Sequence, residues 1–216
     1  MSPSDKYRAE LRGAFPASFL REVAACLNMS YRVARERTAE FPDGILHDLL
    51  PQYRHAVVQS ALLILARKYS GRGVIASSEL NVAENSYHTL IRSGDVVLTE
   101  SPVPTPNAVV RRAIFRESYA VSNQLDLYRK DKRPAADAPL YALIVHGPGA
   151  LAKAPSFAKI VFPLPDLTGY VDDGIDLIHA HLADTAAHRN AVEQIADEVA
   201  LALRRGVAKK APRADA

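Results

Sequence analysis

The segment 139–165 constrains the fold more than any other part of the sequence, because two short apolar runs there flank a loop rich in glycine and proline. The runs 140–145 and 157–162 have the length, the β-branched content and the Gly or Pro boundaries of buried strands. Gly147 and Pro148 begin the loop between them. Since the preceding chain has helical patterning, these strands predict a fold that mixes helices with a sheet.

Residues 16–70 are predicted to be helical. Apolar side chains recur at helical spacing from Leu20 onwards, and the sequence Phe-Pro-Asp-Gly at 41–44 ends that pattern. A second helical region is predicted over 45–69, with Pro51 as a point of interruption. Two or three helices are therefore expected before the sheet.

The sheet-containing part begins at residue 71. Alternating apolar and polar side chains predict one strand over 74–82, and a second over 95–99 after the turn-forming residues 93–94. Residues 87–91 are predicted to form one helical turn between these two strands. The prolines that follow are expected to end the second strand, since proline cannot donate to the ladder.

A helix is predicted over 107–127, followed by a polar linker over 129–138 and by further helix from about 175 to 203. Together with the four strands, these elements predict an α+β protein. We expect a helical N-terminal segment followed by a small mixed or antiparallel sheet of about four strands, with flanking helices on one side.

The expected domain organisation is simple. Residues 1–15 are predicted to be a flexible N-terminus, and residues 16–203 a single α+β domain with a helical part over 16–70 and a sheet-containing part over 71–203. Residues 204–216 carry several basic side chains without an apolar pattern, and are predicted to be a disordered basic tail.

Composition indicates a folded protein of the cytoplasm. The 216 residues are 48% hydrophobic and 24% charged, which is close to the average of globular proteins and excludes wholesale disorder. The longest apolar run, near 56–66, is too short to span a membrane, and no signal-peptide pattern begins the chain. The single cysteine, Cys26, has apolar neighbours and is expected to be a small buried hydrophobe, compatible with a reducing compartment.

Residues 22–37 resemble the centre of a helix-turn-helix, with Asn28 at the turn and Arg32 and Arg35 on a second helix. The apolar stripe through this segment has no break, however, and the positions that should pack a recognition helix fall on Ala34 and Arg37. One continuous helix is therefore the favoured interpretation, and the helix-turn-helix is the alternative.

The loop after the third strand has only part of a phosphate-binding pattern. Gly147 and Lys153 have the separation of the first glycine and the lysine of such a loop, but Ala152 and Ala154 occupy the positions of the second glycine and of the hydroxyl residue. Nucleotide hydrolysis is therefore not indicated, and we expect an ordinary strand connection.

The histidines do not match a metal-site spacing. His181 and His188 lie close to one face of a predicted helix with Asp184, and His179 is nearby, but a solvated polar face accounts for this group. His146 ends a predicted strand before a glycine, where α/β proteins often place functional residues, although alone it is expected to be structural. No metal and no cofactor are predicted.

A metal-dependent nuclease of the restriction type is one alternative function. Such sites need acids on two strands and an acid-x-Lys element to bind magnesium and activate water. Asp95 and Glu100 lie on a single predicted strand, and Pro102 stands where the lysine would be required.

The favoured function is a non-catalytic nucleic-acid-associated or regulatory protein. A cluster of basic residues on the predicted helix and linker, which we call the basic belt, offers contacts to the phosphates of DNA or RNA, and the formal net charge of the chain is +3. The basic belt comprises Arg111, Arg112, Arg116, Arg129, Lys130, Lys132 and Arg133.

A protein-interaction module is the remaining alternative, with a protein partner or a homodimer. The helical region 45–69 carries a wide apolar surface, and more of it than one neighbour can cover would mark an interface, although burial in the chain's own core is the favoured explanation. This surface consists of Leu46, Leu49, Leu50, Val57, Val58, Leu62, Leu63 and Leu65.

Overall fold

The computed structural model describes residues 2–81, 87–123, 139–147 and 152–178, together with residues 198 and 201. The helices of these residues are α1 (Pro3–Ala14), α2 (Ala17–Arg37), α3 (Asp43–Lys68) and α4 (Ile114–Ala120). Their strands are β1 (Val74–Leu80), β2 (Tyr87–Ser93), β3 (Val96–Pro102), β4 (Leu140–Gly147), β5 (Phe157–Val161) and β6 (Ile175–Asp176). The predicted α+β class, with helices before the sheet, is confirmed.

The helix α1 shows that the expectation of a flexible N-terminus over 1–15 was wrong. Ser2 caps it: its hydroxyl accepts from the backbone N–H of Asp5, and the Asp5 carboxylate accepts from the backbone N–H of Ser2. Tyr7, Leu11 and Phe15 are buried in the core. Their spacing of four residues places them on one face, a signal that scattered charges obscured in the sequence.

The helix α2 runs without a break through residues 22–37, so one continuous helix is confirmed and the helix-turn-helix is excluded. Cys26 is buried within it, as expected. The helix α3 likewise continues through Pro51, which is exposed. Most of the apolar surface predicted on α3 is buried in the chain's own core, including Leu46, Val57 and Leu62.

The strands of the described residues form one six-stranded sheet in sequential order from β1 to β6. Neighbouring strands are antiparallel except β3 and β4, which are parallel and are connected through α4 and the segments around it. The residues predicted as a helical turn at 87–91 belong to the strand β2, so that prediction was wrong. Pairing with β1 along all seven residues of β2 outweighs the weak local signal.

The helix predicted over 107–127 was also wrong in extent, because α4 covers only seven residues before a short 3-10 turn at 121–123. Residues 108–113 are extended or irregular. Val110 is buried there, and the hydroxyl of Tyr170 donates to the carbonyl of Ala108 at 2.8 Å. These packing contacts therefore keep the segment extended or irregular instead of helical.

Two hydrophobic clusters lie on the two faces of the sheet. One joins α1, α2 and α3 to side chains such as Leu98 and Ile144. The other includes Val97, Leu143 and Ala120, so that the sheet is covered on both faces, not on one as predicted. Among the described residues, no helix combines the length and the apolar character needed to span a membrane.

Candidate active site

A buried carboxylate lies where the helical layer meets the sheet. The side chain of Glu100 on β3 is fully buried, and three polar groups surround it. Its Oε2 is 3.0 Å from Nε2 of His146, and its Oε1 is 2.8 Å from Nδ1 of His55 and 3.1 Å from Nε2 of Gln59. The contact between Nδ1 of His55 and Glu100 is an ion pair when the imidazole is protonated.

The topology of the sheet brings Glu100 and His146 together. In the parallel pair of β3 and β4, Glu100 lies opposite Ile144 and Pro102 lies opposite His146. Glu100 and His146 therefore occupy positions of the same parity and project from the same face, toward the helices. Both lie near the carboxyl ends of parallel strands, where the sheets of α/β proteins place their functional side chains.

Gly147 allows the close packing that holds His146 in place. A Cβ atom at this position would collide with the carbonyl oxygen of Val103. The backbone N–H of Val103 donates to the carbonyl of His146 at 2.9 Å, so the chain leaving β3 lies directly against the end of β4. A glycine is required here because of this close approach, not because of its φ angle.

The helices supply the other members of the site. His55 and Gln59 are four residues apart on α3 and therefore share one face. Their Nε2 atoms are 2.9 Å apart, so that the amide of Gln59 donates to a neutral His55 ring at Nε2. This contact and the carboxylate at Nδ1 together favour the tautomer that carries its proton on Nδ1.

The network continues from His146 to α2. The hydroxyl of Tyr31 is 2.8 Å from Nδ1 of His146, and the two rings meet edge to face. The guanidinium of Arg54 lies 4.3 Å above the ring of Tyr31. Four side chains from α2, α3, β3 and β4 thus form a continuous chain, Tyr31 to His146 to Glu100 to His55, which we call the His-Glu-His network.

The contacts within the His-Glu-His network shift the pKa values of Glu100 and His55. Burial alone would raise the pKa of Glu100, but the contacts with His146 and His55 outweigh it and lower the pKa well below its usual range. The contact with Glu100 in turn raises the pKa of His55, although burial opposes the shift. Burial raises the pKa of Tyr31 to about 12, so its hydroxyl stays protonated at neutral pH.

Only one member of the network reaches solvent to a substantial degree. The side chain of His55 is 37% exposed, whereas those of Glu100 and His146 are 0% and 1% exposed. A molecule from solution can therefore meet this network at His55. The arrangement is a half-exposed imidazole backed by a buried carboxylate, which is the pairing that orients a general acid or base in many enzymes.

A further charged group contacts the backbone of Glu100. Arg116 on α4 donates from Nη2 to the carbonyl oxygen of Glu100 at 3.4 Å. The charge of Arg116 lowers the pKa of His55, but the contact with Glu100 raises it by more. Arg116 therefore belongs to the surroundings of the network as well as to the basic belt.

The described residues of the basic belt do not form a single free surface. Arg111 and Arg112 are exposed, and Nε of Arg112 contacts Glu117 at 2.8 Å. Arg116 is partly buried, with Nη1 bonded to the carbonyl of Arg111 at 2.9 Å. The other members of the basic belt lie outside the described residues; these are Arg129, Lys130, Lys132 and Arg133.

The structure describes only some of the other residues that the sequence analysis considered as metal or catalytic candidates. His179, His181 and His188 lie outside the described residues, as does much of the loop 147–154. Asp95 lies in the turn before β3, and Glu100 contacts two histidines instead of a second acid. In the part of the chain that the structure describes, no group of three or more His, Cys, Asp or Glu side chains is arranged to hold a metal ion.

The sequence analysis noted the position of His146 but expected this residue to be structural, and it missed the partners that the structure places around it. His146 is separated from Glu100 by 46 residues and from Tyr31 by 115 residues, so no local spacing connects them. The pair of His55 and Gln59 at helical spacing is the one local signal present. Comparison with protein-family models, with curated proteins and with solved structures gave no match to this chain.

Proposed function

We propose that this chain is an enzyme that uses His55 as a general base and acid, with Glu100 as the residue that orients the ring and stabilises its charged form. One observation carries the proposal: a half-exposed imidazole contacts a fully buried carboxylate whose other oxygen is bonded to a second, buried imidazole. Strongly perturbed ionisable groups next to a solvent opening are typical of catalytic sites.

The geometry supports one direction for the proposed proton transfer. Because Nδ1 of His55 faces Glu100, Nε2 is the atom that can accept a proton from water or from a substrate hydroxyl once the amide of Gln59 moves aside. The imidazolium formed in this step is stabilised by the carboxylate, and its proton is then available to a leaving group. Proton transfer by a positioned side chain typically accelerates a reaction by about 10²- to 10⁴-fold.

The remaining members of the network position the carboxylate. Nε2 of His146 donates to Glu100 while Nδ1 accepts from the hydroxyl of Tyr31, which fixes the tautomer of His146. This support holds the carboxylate oxygens in one orientation, so the charge facing His55 does not turn away. His146 and Tyr31 are therefore positioning residues in this proposal.

The test compares His55→Asn with His47→Asn. His47 lies on the same helix and is exposed, with a contact of 3.5 Å to the neighbouring Asp48, so its substitution controls for general effects on α3. Purified variants are assayed against chromogenic carboxylic esters, phosphomonoesters and phosphodiesters across pH. We expect turnover that His55→Asn lowers at least 100-fold and that His47→Asn leaves unchanged. Activity that is equal in the two variants would refute the role of His55.

Binding of DNA or RNA through the basic belt, as a nucleic-acid-associated or regulatory protein, is the second candidate function. The exposure of Arg111 and Arg112 and the formal charge of +3 support it. Fluorescence anisotropy with labelled DNA and RNA, titrated across salt, tests it. We expect Arg111→Gln with Arg112→Gln to weaken binding and flatten its salt dependence, whereas Arg37→Gln, at the exposed end of α2, should not. Equal salt slopes in the two variants would exclude this surface.

A further inference from the structure

The strand β1 forms one edge of the sheet, and no described residue pairs with its outer side. It is seven residues long and pairs with β2 along its whole length without a bulge. Its residues, VIASSEL, include no lysine, arginine or proline. Short length, bulges, prolines and basic side chains are the features by which proteins protect an edge from pairing with another chain. The opposite edge strand, β6, has only two residues, so β1 is the described edge to which a further strand can add.

The turn after β2 shows which backbone groups of β1 face outward. Ser93 and Val96 flank the two-residue turn 94–95, so they form a pair that exchanges both of its hydrogen bonds. The backbone groups of Ser93 thus face β3, and those of its β1 partner, Val74, face away from β2. In agreement, the N–H of Val74 donates to the carbonyl of Tyr69 at 3.4 Å. Since the direction alternates along a strand, all even-numbered residues of β1 have outward-facing N–H and C=O groups.

Apolar side chains are exposed along the same edge. Ile75 is 68% exposed, on the face of the sheet that carries α4. Leu80 and its β2 neighbour Tyr87 lie on the opposite face and are 41% and 60% exposed. A single exposed apolar side chain is ordinary in a folded protein. Three of them beside an edge strand with outward-facing backbone groups favour an interface.

We propose that two copies of this chain pair through β1, antiparallel and symmetric about Ser77, so that their sheets join into one. In this register Ala76 lies opposite Ser78 of the second copy, and Val74 lies opposite Leu80 of the second copy. The residues of these two pairs are all even-numbered and therefore have outward-facing backbone groups. The strand is thus complementary to itself over its full length of seven residues.

Charge complementarity supports a second copy as the partner. On the face that carries α4, Glu79 of the second copy would lie opposite Ile75, and Arg92 lies on the other side of Ile75 in the same row. Neighbouring strands are about 4.8 Å apart, so the Cα atoms of Arg92 and of Glu79 of the second copy would be about 10 Å apart. The two long side chains can meet above Ile75 and cover it with their apolar stems. The twofold symmetry forms this ion pair twice.

Within one chain these two charges are far apart. Glu79 and Arg92 lie four positions apart along the ladder of β1 and β2, which is about 13 Å. The side chain of Glu79 is 43% exposed and accepts from the hydroxyl of Ser77 at 3.0 Å. Arg92 is exposed and donates from Nη2 to the hydroxyl of Tyr119 at 2.7 Å. A direct contact between Glu79 and Arg92 therefore requires a second copy.

The pairing covers exposed apolar surface and ends with two copies. It places Leu80, with Tyr87 beside it, next to Val74 of the second copy, which is buried under the helices. The edge left at each end of the joined sheet is β6, whose two residues offer little to a further strand. Because both copies use the same surface, the interface is closed and yields a dimer, not a fibre.

Analytical ultracentrifugation of the full chain tests the pairing at concentrations from about 1 to 100 μM. We expect a dimer whose fraction rises with concentration. Ser78→Pro removes an outward-facing N–H from the pairing between copies but no hydrogen bond to β2, and should weaken dimerisation about tenfold or more. Ser78→Thr keeps this donor and suits a strand, so it should leave dimerisation unchanged.

An exchange of charges tests the register and serves if the proline variant does not fold. Glu79→Lys and Arg92→Glu should each weaken dimerisation because each brings like charges together, and the double variant should restore it. A monomer at every concentration would overturn the self-pairing and leave this edge to an extended segment of another protein. A dimer that neither Ser78→Pro nor the single charge reversals weaken would overturn β1 as the interface. A double variant that dimerises no better than the single ones would overturn the register about Ser77.

Discussion

Replacing Glu100 by glutamine separates the proposed positioning role of the buried carboxylate from its structural role. The amide has nearly the same shape and can still accept from Nε2 of His146 through its oxygen. Its NH2 group would then face Nδ1 of His55, which must become an acceptor. The proton of a neutral His55 therefore moves to Nε2, and a hydrogen is presented to the substrate where a lone pair is required.

The expected loss of stability is small compared with the loss of activity. The bond from His146 loses about 1 kcal/mol when its acceptor becomes neutral, and the new NH2 group meets the Gln59 amide nitrogen, so that Gln59 must turn its amide over to offer its oxygen, at a cost of similar size. The amide costs less to bury than the carboxylate, which offsets a comparable amount. We expect a net destabilisation of no more than about 2 kcal/mol, or roughly 8 °C in Tm for a chain of this length. Activity should fall by about 10³- to 10⁴-fold, because the ring has the wrong tautomer.

Two measurements check this prediction. The ¹⁵N chemical shifts of the His55 ring report the tautomer directly, and chemical denaturation reports the free energy of unfolding. Glu117→Gln is the control, since that carboxylate is partly exposed and contacts only Arg112 among the described salt bridges. If Glu100→Gln keeps the wild-type tautomer and activity, or unfolds as easily as Glu100→Ala, the reasoning is refuted.

The remaining predictions concern linkage and packing. The pKa of Glu100 is lowered in the folded protein, so the stability that Glu100 contributes is complete above about pH 4.3 and is lost as pH falls through the folded pKa. The pKa of His55 is raised, so the stability that His55 contributes is complete below about pH 6.5 and is lost as pH rises through the folded pKa. The contribution of this pair to the free energy of unfolding, measured by denaturation across pH, should therefore be greatest between these two pH values. This maximum should vanish in Glu100→Gln, and an unchanged pH profile would contradict the linkage. Gly147→Ala should lose more than about 1 kcal/mol because its Cβ meets a carbonyl oxygen, whereas Gly13→Ala, in an open position on α1, should gain up to about 1 kcal/mol. If the two variants change the Tm equally, the backbone around Gly147 moves to accommodate a Cβ atom without cost. Cys26 should react with a thiol reagent only as fast as the chain opens, because the thiol is buried and burial raises its pKa, and rapid labelling of the native protein would be inconsistent with this burial.

The fold could be predicted from the sequence where the signal is local. The stripe beginning at Leu20 correctly predicted α2, and the apolar runs at 140–145 and 157–162 correctly predicted β4 and β5. The strand β2 was missed because its position is set by the neighbours on both sides, not by its own pattern. The capping residues Ser2 and Asp5 were a readable local signal for α1.

The candidate site could not be predicted because its members come from four elements. Glu100 had no local feature that set it apart from other acids on strands. Its significance depends on the parallel register that places it beside His146, and on the position of α3 above the sheet. Strand order and helix placement are properties of the whole chain, so a spacing rule along the sequence does not contain them.

A structural role alone does not explain the His-Glu-His network. Apolar side chains of similar volume generally stabilise a core as well as or better than buried charged groups, by about 1 to 4 kcal/mol. The neighbouring side chains of this core, such as Leu98 and Ile144, are already apolar. A triple variant, Tyr31→Phe with Glu100→Met and His146→Leu, leaves the 37% exposed His55 to be solvated by water. We expect it to unfold no more easily than the wild type in denaturant while losing the activity that depends on His55. Unfolding at much lower denaturant concentration would show instead that the network is needed for stability.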